Sequence, residues 1–420
     1  MTALSFFQRK VPALKHSIKF SAIAMGLLSF TLSANTLTTA TTPFAQCQQD
    51  FKASATDLGY SPYIINDVIS ALSPIERVQQ LDKRQPEFSE TFVEYINKRV
   101  TDYRVKEGKK KLVEHKVLLA ELTKKYGIPA QYLVSFWGLE TNYGRHKGKM
   151  SVLNAIATLA CDKRRSKYFT AELFKLFDLI DNKTVSAAQL QGSWAGAMGH
   201  MQFMPTALKS YGIDGDNDGK IDVWQSEADA LTSAANYLNQ IGWNTNQRWG
   251  REVTLPESFD YTATEQDKQY PLSHFKTLGV TTVYQQPLSN YDINAELFLP
   301  AGHIGPAFLV YPNFDVIMKW NLSKNYATAV GLLANRLVGA KKKQYAPLAL
   351  KQRYNREQLQ LLQEKLQSLG YNTGKPDGIW GPNSRKAIRS FQLAHQLIAD
   401  AYPHNAVFNA AEISKKTTIN

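Results

Sequence analysis

Cysteine is nearly absent from this chain: of 420 residues only Cys47 and Cys161 are cysteines. That leaves room for one disulfide or for two buried thiols, and the sequence does not choose between them. Histidine is also sparse, with eight in all, no His-Glu-x-x-His and no His/Cys cluster at zinc spacing. Zinc hydrolase chemistry is thereby disfavoured. Acidic residues are missing altogether before Asp50, where Arg9, Lys10, Lys15 and Lys19 precede an uncharged stretch over 20–34. A basic flank, a short apolar core and then small residues predict a secretory signal and leader within 1–45. The core is shorter than the ~20 residues a spanning helix needs, so an uncleaved anchor is the second reading. Gln46 before Cys47 fits a lipoprotein signal poorly.

What is present points to a soluble chain of more than one domain: 44% of residues are hydrophobic, and the length exceeds the usual single core. Loss of the leader takes four positive charges from a formal +13, so the mature chain stays basic. An exported basic protein suits an anionic polymer such as a cell wall or acidic lipid head groups. Nucleic acid is disfavoured, since no recognition motif supports it. Residues 46–126 read as helical, broken once at Gln85-Pro86. Residues 127–245 carry the dense motifs. Six prolines and short β-branched runs such as Val280–Tyr284 mark 250–315 as loops with short strands. Helix returns over 327–338, a lysine-rich linker over 341–354 follows, and a compact unit occupies 355–403 before a tail at 404–420.

Three segments carry chemistry. The first is FWGLETNYGR, in which Glu140 follows the apolar run Val134, Phe136, Trp137, Leu139. Pro129 opens a helix there and Gly144 closes it, which puts Glu140 near a helix C-terminus among apolar neighbours. Both the dipole and desolvation favour the neutral acid, as a general acid near neutral pH requires. The second is GSWAGAMGHMQFMP, residues 192–205. Its glycines let a bulky ligand approach the backbone, and Gln202 offers an amide that both donates and accepts. The third is DGDNDGKID, residues 214–222, with carboxylates at positions 1, 3, 5 and 9 and glycine at 6, the front half of an EF-hand calcium loop. Gln225 stands where a bidentate glutamate is expected, so the loop departs from the ordinary pattern. Near the C-terminus, Leu359–Tyr371, PDGIWGP and Ala387–Gln392 read as two amphipathic helices around an Asp-Gly turn.

Together, WGLETNYGR, GSWAGAMGHMQFMP and DALTSAANYL followed by Gly242-Trp243 resemble the membrane-bound lytic murein transglycosylase B family, over roughly residues 46–340. The C-terminal segment resembles the peptidoglycan-binding domain 1 module, although its usual second Asp-Gly turn is Asp400-Ala401 here. The resemblance implies a mainly α protein: a lysozyme-like catalytic domain with a small loop/β insert, and a three-helix binding module. It implies Glu140 as the sole acid/base, and Ser193, Gln202, Tyr237, Asn321, Tyr326, Arg164 and Arg165 as residues along the glycan groove. It implies structural Ca2+ on Asp214, Asp216, Asp218, the Lys220 carbonyl and a later closing Asp, which matches Asp229, with Glu227 as the rival. No organic cofactor is implied. The reaction would cleave the β-1,4 bond between N-acetylmuramic acid and N-acetylglucosamine in peptidoglycan, leaving 1,6-anhydromuramic ends. A hydrolytic muramidase on the same fold and a non-catalytic wall-binding protein are the alternatives. The expected setting is a periplasmic monomer with peptidoglycan as partner, in peripheral contact with the wall or outer membrane, its C-terminal module acting as a tether.

Overall fold

The computed structural model describes residues 43–84, 90–265, 267–343 and 354–413. The leader before residue 43 and most of the 341–354 linker lie outside the described residues. So does the Gln85–Phe88 break. Among the described residues no helix is long and apolar enough to cross a membrane.

Thirteen described α-helices build the region up to residue 343. They start with α1 (Pro43–Asp57), whose first three residues fall in the segment read as leader, and α2 (Glu76–Arg84). Then come α3 (Phe92–Arg99), α4 (Asp102–Glu114), α5 (Lys116–Tyr126) and α6 (Ala130–Thr141). Next are α7 (Val152–Ala160), α8 (Ser166–Asp181), α9 (Pro205–Tyr211) and α10 (Glu227–Gln240), followed by α11 (Leu272–Thr277), α12 (Pro312–Trp320) and α13 (Lys324–Leu337). Helix α6 is apolar on all sides, with Tyr132 to Gly138 all buried, so it can only be a central helix. Helices α13, α4, α5 and α10 pack around it. The expected stop at Gly144 comes earlier. Asn142 already takes the left-handed conformation and its N–H bonds the Gly138 carbonyl, because Asn tolerates that region better than most residues. The 47–161 pairing that the sequence leaves open is a disulfide, with Cα atoms 5.9 Å apart, tying α1 to the end of α7.

Within 250–310 a five-stranded antiparallel sheet replaces the loop-rich texture. Strands β3 (Gly250–Thr254), β4 (Tyr270–Pro271), β5 (Thr281–Thr282), β6 (Asn294–Phe298) and β7 (Ala307–Val310) lie in the order β4-β6-β7-β3-β5, and a separate two-stranded ribbon pairs β1 (Met150–Ser151) with β2 (Gln191–Gly192). Period-two alternation explains why β6 and β7 are so apolar. Paired Leu297 and Leu309 face a small core of the insert, with Phe275 and Leu272, while paired Phe298 and Phe308 face the main helical core.

The C-terminal module holds α14 (Arg356–Ser368), α15 (Pro382–Ala394) and α16 (Asn405–Ala410) around Leu366, Ile388, Phe391 and Phe408. Its third helix lies in the 404–420 stretch that reads as a tail. Ala401 takes φ +58 where a glycine is usual, held by its N–H to Gln392 Oε1 at 2.8 Å. The module rests on the insert. Arg389 donates to the Tyr261 carbonyl at 3.1 Å, and Asp400 accepts from the His303 N–H at 2.9 Å and from His303 Nδ1 at 2.5 Å. The module expected to act as a tether to the wall is docked on the insert.

Candidate active site

Glu140 occupies the last turn of α6, where the buried middle of the helix gives way to half-buried residues. Two hydrogen bonds reach its Oε1, from Trp320 Nε1 at 3.0 Å and from the Tyr326 hydroxyl. Oε2 takes none from a described residue. Burial raises the carboxyl to a pKa of about 7 against the two bonds, which favour the anion, and no neighbouring charge contributes. Aromatic rings supply the dry surroundings: Trp320 lies 4.7 Å from Phe136, 5.6 Å from Phe203 and 4.9 Å from Tyr237. Tyr237 in turn stacks on Tyr211 at 4.5 Å, making an aromatic platform beside the carboxyl.

The end of α6 is fixed by a buried set of neutral contacts. Trp137 Nε1 donates to His200 Nδ1 at 3.0 Å and Thr141 Oγ1 to the His200 carbonyl at 2.7 Å. Burial, aided by Lys147, pushes His200 down to about 4, so the ring stays neutral and structural. Gly144 (φ +82) closes over that ring, where an added Cβ would come 2.3 Å from His200. Gly148 (φ +85) similarly lies against the Gly192 carbonyl, with 2.0 Å left for a Cβ, and this brings the 192–205 segment alongside.

The other expected residues divide. Tyr326 and Tyr237 are in the Glu140 neighbourhood. Ser193 Oγ accepts from the Ala195 and Ala197 N–H groups at 3.3 and 3.0 Å, shaping the glycine-rich turn. Gln202, at φ +52, donates to the Gly199 and Lys147 carbonyls at 3.0 and 3.2 Å. Asn321 is exposed after α12 and accepts from the Ser323 N–H at 3.1 Å. Arg164 and Arg165 both bind the buried carboxylate of Asp82, which holds α2 to the start of α8. Trp320 was missed. It stood beside Asn321 in the motif, yet nothing local shows that it reaches a carboxylate 180 positions away.

In the 214–222 loop, one carboxylate oxygen each from Asp214, Asp216 and Asp229 lies within 4.8 Å of the others. Asp229 is buried at the start of α10, and its pKa is raised by burial and by repulsion from Asp216. Asp218 instead accepts from the Lys220 N–H at 2.9 Å, and Glu227 pairs with Lys111 at 3.1 Å and with His115 at 2.8 Å. Three hard oxygen donors with a buried anion among them fit a calcium ion.

A lone, dry carboxyl near neutrality at the end of a buried helix, beside an aromatic platform, defines a helical lysozyme-like glycan-cleaving enzyme. The transglycosylase SLT domain family matches residues 43–335, and the putative peptidoglycan binding domain family matches 355–410. Membrane-bound lytic murein transglycosylase B of Escherichia coli (strain K12) is 30% identical over 298 residues, spanning 67% of this chain and 80% of its own. Among solved structures, SltB3 from Pseudomonas aeruginosa in complex with NAG-NAM-pentapeptide is 39% identical with a TM-score of 0.83, over 88% of this chain and 99% of that one. The Escherichia coli lytic transglycosylase Slt35 in complex with calcium is 29% identical with a TM-score of 0.61, over 70% of this chain and 92% of that one. The chain belongs to the transglycosylase SLT-domain family and is by class a lytic murein transglycosylase carrying a peptidoglycan-binding domain.

Proposed function

We propose that Glu140 is the single acid/base of a non-hydrolytic cleavage of peptidoglycan between N-acetylmuramic acid and N-acetylglucosamine. The observation that carries this reading is the Glu140 carboxyl itself, raised to about 7 by burial with no second charge acting on it. Glycosidases that employ water or a protein nucleophile ordinarily need two carboxylates flanking the bond. Because Trp320 and Tyr326 both donate to Oε1, the proton belongs on Oε2. From there it passes to the bridging oxygen as that bond to the muramic C1 breaks. The substrate's own 2-acetamido oxygen stabilises the cation at C1. Glu140, now the anion, then takes the proton of the muramic 6-hydroxyl as that oxygen bonds C1, closing the 1,6-anhydro ring. Ser193, Gln202, Tyr237 and Asn321 are proposed to line the groove, with Tyr326 positioning the acid. The setting proposed is extracytoplasmic, on the wall.

The general-acid step needs the protonated carboxyl. Turnover of sacculi is therefore expected to fall as pH rises through about 7, the pKa of Glu140. Tyr326→Phe removes a bond that favours the anion and should move that alkaline limb to higher pH. Rates measured from pH 5 to 9 test both, and a profile flat through neutrality in the wild type contradicts the assignment.

We further infer that Ca2+ is held by Asp214, Asp216, Asp218 and the Lys220 carbonyl, with Asp229 closing the loop, and that it supplies charge balance rather than chemistry. Its binding would tie the loop to the first turn of α10. Chelator should lower the melting temperature and added calcium restore it, by about 2.7 kcal/mol of stability at a hundredfold excess over Kd. Asp229→Asn should abolish that response, and an identical melt with and without chelator contradicts an occupied site.

A further inference from the structure

A cavity of about 460 Å³ opens among α3, β3, the turn after β5 and residues 338–343. It sits at the end of α13 opposite Tyr326: Arg336, on its wall, is ten residues further along, or about 15 Å of helix. Its walls are apolar at Ile96, Val100, Leu332 and Val338. Its charges are almost all of one sign. Arg248, Arg251, Arg336, Lys341, Lys342 and Lys343 line it, against the single carboxylate of Glu252. Glu252 is matched by Lys343 at 3.5 Å. Asp102, outside the cavity, is matched by Arg336 at 2.5 Å and Lys342 at 2.8 Å. Arg248, Arg251 and Lys341 have no carboxylate partner among the described residues. Arg248 reaches only Asn335 Oδ1, at 3.3 Å, and Nε of both Arg251 and Arg336 is buried without a hydrogen-bond partner.

The buried guanidinium N–H groups of Arg251 and Arg336 are costly unless an acceptor completes them, and the exposed cations around them make the recess attractive to an anion. The arginine fork matches a carboxylate or a phosphate with two parallel bonds. The apolar walls would be wasted on a bare phosphate and suit the methyl groups of an alanine-rich peptide. The volume falls in the range of small-ligand sites.

We propose that this cavity is a second, non-catalytic site that binds the carboxylate end of a murein stem peptide; this rests on murein being the substrate. The peptide is recognised here while the glycan lies in the groove around Glu140, so strands that carry peptides are held longer than bare glycan.

Calorimetric titration of the full chain with a sugar-free stem tetrapeptide tests the site, because such a peptide has no glycan to enter the groove. Saturable binding that weakens with salt is expected, with a loss of roughly tenfold in Arg248→Gln/Arg251→Gln. Lys341→Glu, on an exposed stretch where no packing is disturbed, should weaken binding in the same sense and covers the case in which the double variant fails to fold. The fully amidated peptide should not bind. Absence of peptide binding by the wild type, equal binding by the variants, equal binding of the amidated peptide, or binding of inorganic phosphate without the peptide would each overturn the proposal. A wild type that solubilises sacculi yet ignores the peptide sinks this inference alone. One that does not solubilise sacculi sinks the murein reading beneath it.

Discussion

Glu140→Gln is expected to lower the rate of murein cleavage by about 10²-fold or more, while the protein stays folded and still binds glycan. Glutamine keeps the shape and can still accept from Trp320 and Tyr326 at its amide oxygen, but it has no proton to give. The same variant makes a stability prediction of opposite sign. A carboxyl raised from 4.5 to about 7 in the folded state holds a proton that the unfolded chain has already lost, so the wild type loses stability as pH climbs from about 4.5 to 7. Glutamine does not titrate. Above pH 7 the variant should therefore melt no lower than the wild type, and rather higher. A loss of activity accompanied by a lower melting temperature at pH 8 would mean that Glu140 is structural, and near-normal turnover by the folded variant would remove it from the chemistry.

Cys47→Ser/Cys161→Ser is expected to be the most destabilising change outside the active site. The bond closes a loop across 114 positions. Loop-closure entropy for a crosslink of about 100 residues is worth about 4.7 kcal/mol, with 2–5 kcal/mol the usual measured range. The loss should appear as a fall in melting temperature on the order of 10 °C. Helix α1 should not detach altogether, because Phe51 and Ala55 remain buried, with Phe51 edge-on to Phe174 at 6.4 Å. Reducing agent should reproduce the shift in the wild type and leave the serine pair unmoved. Identical melting of the two proteins would show that the bridge does not form or does not matter.

Local signals were legible and distant partners were not. Glu140 could be read because the signals that single it out lie close to it in sequence: an apolar helix, its last turn and the glycine beyond. The rings that dry it are drawn from 203, 237, 320 and 326, and only folding unites them. The charges of Arg164 and Arg165 were plain, but the carboxylate they share, Asp82, belongs to another helix and offsets only one of the two. The acidic loop announced itself through spacing. Which carboxylates converge depended on Asx turns within the loop, and these turn Asp218 toward the Lys220 amide. Ala401 concealed the last helix of the module, since alanine seldom takes a left-handed turn unless neighbouring bonds impose it. The docking of Asp400 on His303 joins two separately read domains, a contact that no pattern within either one contains.

Digestion of intact sacculi in water enriched in heavy oxygen, read by mass spectrometry of the released muropeptides, tests the central claim most directly. A single acid/base acting with the substrate's own 6-hydroxyl predicts ends one water lighter than hydrolysed ones and free of the heavy label. Reducing muramic ends that carry heavy oxygen would contradict it and make the enzyme a hydrolase.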